Sequence, residues 1–379
     1  MKFMNVWVKA PFVAFLVVLA SLTATTSAAR ADGTVRVLAR ADFFSAEMAA
    51  AFEKASGIKV EAHIFDARAD RQLPARLMSG DSGYDLLIVP ANFMTSLVSA
   101  DRVQKLDRPV SGIHQVASDI QRALLRFSPK GDQQLRFFAV PLMWGSTGIG
   151  YGPGYMDALG PNSSGPSLGH IFDPANAEKL ASCGIGLADS PNEVVGAALA
   201  YLGRDPRGRT DDDLAAAEGA LMAIRPYVKK VYGDDLGDHL ADGSICAALG
   251  WSGSILRASV KARDAGTPRV IGYAIPSEGS PLWIDLMAIP SNSENTDGAY
   301  ALMEYLLKPD VGAEISGRLL YPSANTAANN LNWNNGLFAD RRIYPKWEVV
   351  ESMFMAPAQS AAQTRALIAM WERLKKADN

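Results

Sequence analysis

The hydrophobic positions along the chain switch repeatedly between two periods. TVRVLAR (34–40) reads as a strand, and SAEMAAAFEKASG (45–57) as an amphipathic helix closed by Gly57. IKVEAHIF (58–65) sets Ile58, Val60, Ala62 and Ile64 on one face, the period of a half-buried strand. RADRQLPARLMSG (68–80) reads as a helix with Pro74 early in it, and YDLLIVP (84–90) as a continuous, fully buried strand. Three strand–helix units in succession predict a parallel sheet with right-handed crossovers.

FFAVPLMWGSTGIGYGPG (137–154) breaks this rhythm, being extended, apolar and rich in glycine. It reads as the chain crossing from one lobe to another. A second α/β series follows in GIGLA (184–188), NEVVGAALAYLG (192–203), DDDLAAAEGALMAIRPYV (211–228) and SICAALGWS (244–252). RVIGYAIP (269–276) and LWIDLMAIP (282–290) read as a strand pair joined by SEGSP. Helix is predicted over 295–316, interrupted at Pro309, and over 361–377. The fold class is therefore α/β with two lobes and hinge-crossing strands. Lobe 1 is expected over 32–139 plus about 256–325, and lobe 2 over 140–255 plus about 326–379. Hinged proteins of this build hold a ligand in the interlobe cleft and close around it.

The first residues have another purpose. Lys2 and Lys9 flank the start of an apolar run from Ala10 to Ala20, and Ala29-Arg30-Ala31 suits signal peptidase. A signal peptide is expected over 1–31, its apolar core being too short for a membrane span of about 20 residues. The first cysteine is Cys183, so no lipid-bearing cysteine stands near the cleavage site. A Gram-negative periplasm is the expected location. Removing 1–31 from 379 residues leaves 348 and takes away Lys2, Lys9 and Arg30, moving the formal charge from −3 to −6. A mildly acidic mature chain argues against a nucleic-acid partner. In an oxidising compartment the isolated pair Cys183 and Cys246 is expected to be bridged, the alternative being two buried free thiols.

SPLWIDLMAIP (280–290) poses the sharpest question, because Asp285 stands in the middle of an apolar strand. A buried carboxylate needs a cation or a set of donors, supplied by the framework or by a ligand. Trp283, two residues away, shares its face. In SPNE, Ser190 and Glu193 have the spacing of a capping box, with Pro191 at the first helical position. Asp42 follows the first strand, where it could serve as a turn or cap residue or face a ligand. Trp251 and Tyr321 are core aromatics on the plainest reading.

Segments spread over nearly the whole mature chain carry a family resemblance: FEKASGIKV, LMSGDSGYDLLIVP, PLMWGSTGIGY, SCGIGLADSPNEV, YLGRDP, GSICAALGWSGS, IPSEG, YLLKPDV, YPSANTAA and RPYVKKVY. The chain resembles the periplasmic polyamine-binding proteins of ABC importers, especially the putrescine-binding type. The resemblance implies the two-lobed solute-binding fold, a Cys183–Cys246 disulfide, and ligand contacts from Asp42, Phe43, Glu193, Trp251, Asp285 and Tyr321; Trp283, on the face of Asp285, is expected beside them as an indole grip for an ammonium. A polyamine needs carboxylates for its ammonium ends and aromatic faces for its methylenes. Phe43 keeps the ring but not the hydroxyl of the family's tyrosine.

Two departures bear on the ligand. The family's tryptophan-serine-aspartate after the first strand is here Arg40, Ala41 and Asp42, and a second family aspartate is here Ser254. Arg40 either turns to solvent or pairs with Asp42, leaving a weakened diamine site, or else faces the cleft. There its guanidinium would suit the carboxylate of an ω-amino acid or another amine-bearing zwitterion. The expected function is delivery of a polyamine, putrescine- or spermidine-like, to an inner-membrane ABC permease, with such a zwitterion, or ligand sensing rather than transport, as the alternatives. The receptor is expected to be a monomer without cofactor or metal. Catalysis is not expected: GWSGS lacks the last glycine of a nucleophile elbow, and His63, His114, His170 and His239 are scattered.

Overall fold

The computed structural model describes residues 33–40, 43–64, 73–129, 131–160, 166–266, 270–334 and 339–376. The expected signal peptide and Asp42 lie outside them. In chain order the strands are β1 (Gly33–Ala39), β2 (Ile58–Ile64), β3 (Leu86–Pro90), β4 (Ala139–Tyr151), β5 (Ile185–Ala188), β6 (Val228–Tyr232), β7 (Ala247–Trp251), β8 (Gly272–Ala274) and β9 (Leu282–Ala288). They form one sheet in the order β2-β1-β3-β9-β4-β7-β5-β6, with β8 beside β4.

This sheet has two halves, each built on parallel strands. In the first, β1 pairs in parallel with β2 and β3, as the three strand–helix units predict. Between β1 and β2 the Ala46–Ser56 helix is fixed at both ends: the Ser45 hydroxyl accepts the Met48 N–H, and Gly57 turns the chain at φ 79°. In the second half, β5 pairs in parallel with β6 and β7. The strand β6, VKKVY, escapes the sequence pattern because its two lysines are exposed and leave little alternation to see.

β4 belongs to both halves. Its residues 139–146 run antiparallel to β9, and residues 147–151 run antiparallel to β7. It is the crossing segment expected from its sequence, buried along its length up to Tyr151. The expected pairing of RVIGYAIP with LWIDLMAIP does not occur. β8 pairs with β4 at residues 149–151, whereas β9 lies between β3 and β4. The long crossing strand offers edge groups at two levels, so each of these strands finds its ladder there rather than on its neighbour in sequence.

The hydrophobic core correspondingly falls into two clusters. One gathers Val35, Leu86, Ile88, Val140, Ile284 and Leu286; the other gathers Ile149, Leu187, Val195, Leu249 and Trp371. Trp371 comes from the Ala361–Lys376 helix and donates its indole N–H to Asp189 just past β5, at 2.6 Å. Cys183 and Cys246 form a disulfide with Cα atoms 5.3 Å apart. It ties the approaches to the parallel neighbours β5 and β7. Closing a loop of 63 residues stabilises by roughly 4 kcal/mol in the chain-entropy account.

Candidate ligand-binding site

Parallel strands bring their carboxyl ends to one edge, and in α/β sheets that edge is where ligands sit. Here Arg40 follows β1, Ser190 and Glu193 follow β5, and Trp251 ends β7. Two residues of β9 complete the group. Trp283 and Asp285 lie on one face of that strand, Asp285 standing opposite Pro90 of β3 and Met143 of β4.

Arg40 joins the two halves. Its guanidinium carbon lies 5.1 Å from the ring centroid of Trp251 and 4.9 Å from that of Trp283. Its Nη1 is 3.8 Å from Asp285 Oδ2, with 19% of the arginine side chain exposed and none of the aspartate's. Of the two orientations open to it from sequence, Arg40 takes the inward one. Burial alone would make the guanidinium easier to deprotonate. The nearby Asp285, with Tyr321, Asp234 and Glu193 adding to it, outweighs this and holds Arg40 more firmly charged than usual.

Asp285 is the least satisfied group in the cluster. Both carboxylate oxygens are buried without a hydrogen-bond partner among the described residues. Burial pushes its pKa up from 3.8 to about 6; Arg40 pulls against the rise and Glu193 adds to it. At 3.8 Å and an effective dielectric near 20, the attraction to Arg40 is on the order of 4 kcal/mol. That offsets part of the desolvation, but it supplies no hydrogen bond. The buried indole N–H of Trp283 also lacks a partner among the described residues.

Glu193 has a different surrounding. The expected capping box does not form: Ser190 is the N-cap residue of the Pro191–Tyr201 helix but makes no side-chain cap hydrogen bond. The glutamate instead turns toward β4 and β7, where its Oε2 accepts from Thr147 Oγ1 and from Trp251 Nε1, the latter at 3.0 Å. Burial raises its pKa, opposed by the hydrogen bond from Thr147, by Arg40, and by hydrogen bonds from Ser190 and Trp251. The helix keeps Pro191 at its first position and dispenses with the box: the Ser190 N–H that the box would use already donates to the Ala188 carbonyl at 2.7 Å, and the carboxylate takes an indole and a hydroxyl instead.

Close approach of the aromatic rings depends on two glycines. A side chain at Gly145 of β4 would place its Cβ 2.3 Å from Trp283 Cζ2. At Gly253 it would meet the Leu319 carbonyl oxygen and the Tyr321 ring, both at 2.5 Å. Tyr321 packs edge-on against Trp283, with centroids 4.7 Å apart. Ser146 and Tyr273 line the same stretch of β4, their hydroxyls 2.7 Å apart.

The structure thus brings together Arg40, Glu193, Trp251, Trp283, Asp285 and Tyr321. Ser254 points elsewhere, its hydroxyl donating to the Asp234 carbonyl at 3.0 Å. Together with Asp234, Arg257 and Arg318 it lines a cavity of about 570 Å³. Phe43 is buried against Phe44, and its carbonyl accepts from Arg318 at 2.7 Å. Thr147, Ser146 and Tyr273 went unremarked in the sequence. A serine and a threonine inside the apolar run of β4 were the available signal, since buried hydroxyls need partners. A larger cavity of about 660 Å³ lies along β2, lined by Arg36, Glu61, His63 and Arg76, and shares no residue with this cluster. Among the described residues no group of three or more His, Cys, Asp or Glu side chains is arranged to hold a metal ion.

The fold is that of a two-lobed solute-binding protein, and comparison with known proteins agrees. The bacterial extracellular solute-binding protein family matches residues 47–339, and the chain belongs to that family. It is 35% identical over 336 residues to the putrescine-binding periplasmic protein SpuD of Pseudomonas aeruginosa, covering 88% of this chain and 89% of the relative. To the putrescine-binding periplasmic protein PotF of Escherichia coli it is 34% identical over 348 residues, covering 90% and 91%. The crystal structure of the spermidine/putrescine ABC transporter substrate-binding protein PotD from Streptococcus pneumoniae superposes with a TM-score of 0.71 at 21% identity, covering 91% of this chain and 99% of that one, a likeness of fold. These are binding proteins, and the expectation of a binding protein rather than an enzyme follows from membership.

Proposed function

We propose that this protein is the periplasmic receptor of an ABC importer and captures a polyamine, or an amine built on the same methylene chain, in the cleft between its halves. The observation that carries this reading is Asp285, a wholly buried carboxylate whose two oxygens accept no hydrogen bond among the described residues and which stands 3.8 Å from a guanidinium lying against two indole rings. An ammonium supplies both the charge and the N–H donors that the carboxylate lacks. Its methylenes would pack on Trp251, Trp283 and Tyr321, with Glu193 as a second acidic contact. Asp42, carried over from the family, belongs to the same proposed set, whereas Phe43 packs on Phe44 and Ser254 bonds to the Asp234 carbonyl, so neither is placed among the contacts. The lobes are taken as 32–139 with about 256–325, and 140–255 with about 326–379, hinged where β4 and β9 cross. Ligand contacts made by both lobes favour the closed form, and the closed form docks on an inner-membrane permease. No covalent chemistry is involved. A cleaved signal over 1–31, a monomeric state and delivery to transport rather than to a sensor belong to the same proposal; the spread of relatives named for putrescine supports it.

Calorimetric titration with putrescine, cadaverine, spermidine and their carboxylate-bearing analogues tests it. At least one amine is expected to bind at micromolar concentration or below, with loss of binding in Asp285→Asn. Binding unchanged within twofold in that variant would show that Asp285 belongs to the framework instead.

A further inference from the structure

Arg40 bears on what the rest of the ligand must carry. Two indole faces and a buried carboxylate make a slot for one cation, and the guanidinium already lies in it, 4.9 Å and 5.1 Å from the two rings. Counted formally, Arg40, Glu193 and Asp285 bring one net negative charge to the cluster, where the two acids alone would bring two. A dication would have to set one of its ammonium groups against the guanidinium.

Hydrogen-bonding capacity points in the same direction. Nη1 of Arg40 lies 3.8 Å from Asp285, beyond hydrogen-bond range, and among the described residues the side chain donates no hydrogen bond. The Trp283 indole N–H is likewise unused, and so are both oxygens of Asp285. The cluster therefore holds idle donors next to idle acceptors. A diamine answers the acceptors alone and leaves the guanidinium and the indole with nothing to bond. A molecule with an ammonium at one end and a carboxylate at the other answers both: the ammonium donates to Asp285, and the carboxylate accepts across the planar fork of Arg40, whose geometry matches its two oxygens.

We propose that Arg40 sets the charge selectivity of the cleft, so that the preferred ligand is an amine with a carboxylate at its far end instead of a second ammonium. The inference rests on reading Asp285 as the ammonium site and narrows the ligand class of that site.

The test is a calorimetric panel of putrescine, cadaverine, 4-aminobutyrate and 5-aminovalerate against the wild type, Arg40→Met, Arg40→Lys and Asp285→Asn, with thermal melts as the check on folding. The wild type is expected to bind one of the ω-amino acids at least tenfold more tightly than the diamine of similar length. Arg40→Met is expected to reverse that order. Arg40→Lys, which keeps the charge but loses the fork, should fall between them, and Asp285→Asn should lose both ligand types. A wild type that prefers diamines, or an Arg40→Met variant whose preference stays within twofold of wild type, overturns the inference while leaving the amine site standing. Failure of the amine site itself looks different: Asp285→Asn then binds as well as wild type, or no member of the panel binds any variant, and the inference falls with it. Should Arg40→Met not fold, the wild-type order alone decides.

Discussion

Two buried aspartates bracket strand β3: Asp85, one residue before it, and Asp285, opposite its last residue on β9. Asp85 is 3% exposed and Asp285 is not exposed at all. Around Asp85 the framework is complete. It accepts from the backbone N–H of Arg36 at 2.9 Å, from Glu294 and Asn295 N–H at 3.0 and 2.9 Å, and from the Ser293 hydroxyl at 3.1 Å. These bonds clamp the 292–295 turn onto the start of the sheet. Around Asp285 there are rings and a guanidinium at 3.8 Å, but no hydrogen bond among the described residues. The same side chain, at similar burial and on neighbouring strands, is a structural clamp in one place and an unfilled acceptor in the other. What separates the two is not burial but whether the surrounding donors close the shell.

The comparison can be broken by exchanging roles, beginning with the largest expected effect. Asp285→Asn is expected to weaken any amine that binds by at least about 100-fold, the scale of removing one partner from a buried charged hydrogen bond. Its melting temperature should stay level or rise, because a buried carboxylate without donors is a liability to the empty fold. Differential scanning calorimetry beside the titration checks both halves of that statement. Asp85→Asn should do the reverse. Losing a fully bonded carboxylate there should lower stability by about 2–3 kcal/mol in urea unfolding and leave ligand affinity within twofold.

Acidity sharpens the contrast. Because Asp285 holds its proton up to about pH 6 in the folded chain against 3.8 ordinarily, its protonation favours the fold below 3.8, and that contribution is lost as the pH rises through about 6. An arriving ammonium favours the ionised form, so binding should release a proton near and below that pH. Affinity is expected to rise about tenfold between pH 5 and pH 7, measured by titration in buffers of differing ionisation enthalpy. A flat profile would mean that Asp285 does not change protonation when the ligand binds. The smallest effect belongs to Thr147→Val, which removes one of the two bonds on Glu193 Oε2. A loss of several-fold in affinity is expected, on the order of 1 kcal/mol, with the fold intact by circular dichroism.

Asp285 was legible in the sequence because a charge in an apolar strand is costly wherever the strand goes. The parallel units of both halves and the crossing strand were legible for a similar reason, their periods being local. Glu193 was misread at the level of its partner: the capping spacing was there, but the competing donors, Thr147 and Trp251, come from β4 and β7 and meet it only after the halves assemble. Pairing of β8 and β9 with β4 is non-local in the same way. The direction of Arg40 turned on two indoles from different halves, which no local pattern brings together.

The place of β9 has a consequence for biogenesis. Strands β3 and β4 have no common partner until residues 282–288 slide between them. A nascent chain shorter than that cannot finish even its first half, and late, non-local pairing of this kind is slow. The first half of the sheet thus stays open until most of the polypeptide has been synthesised.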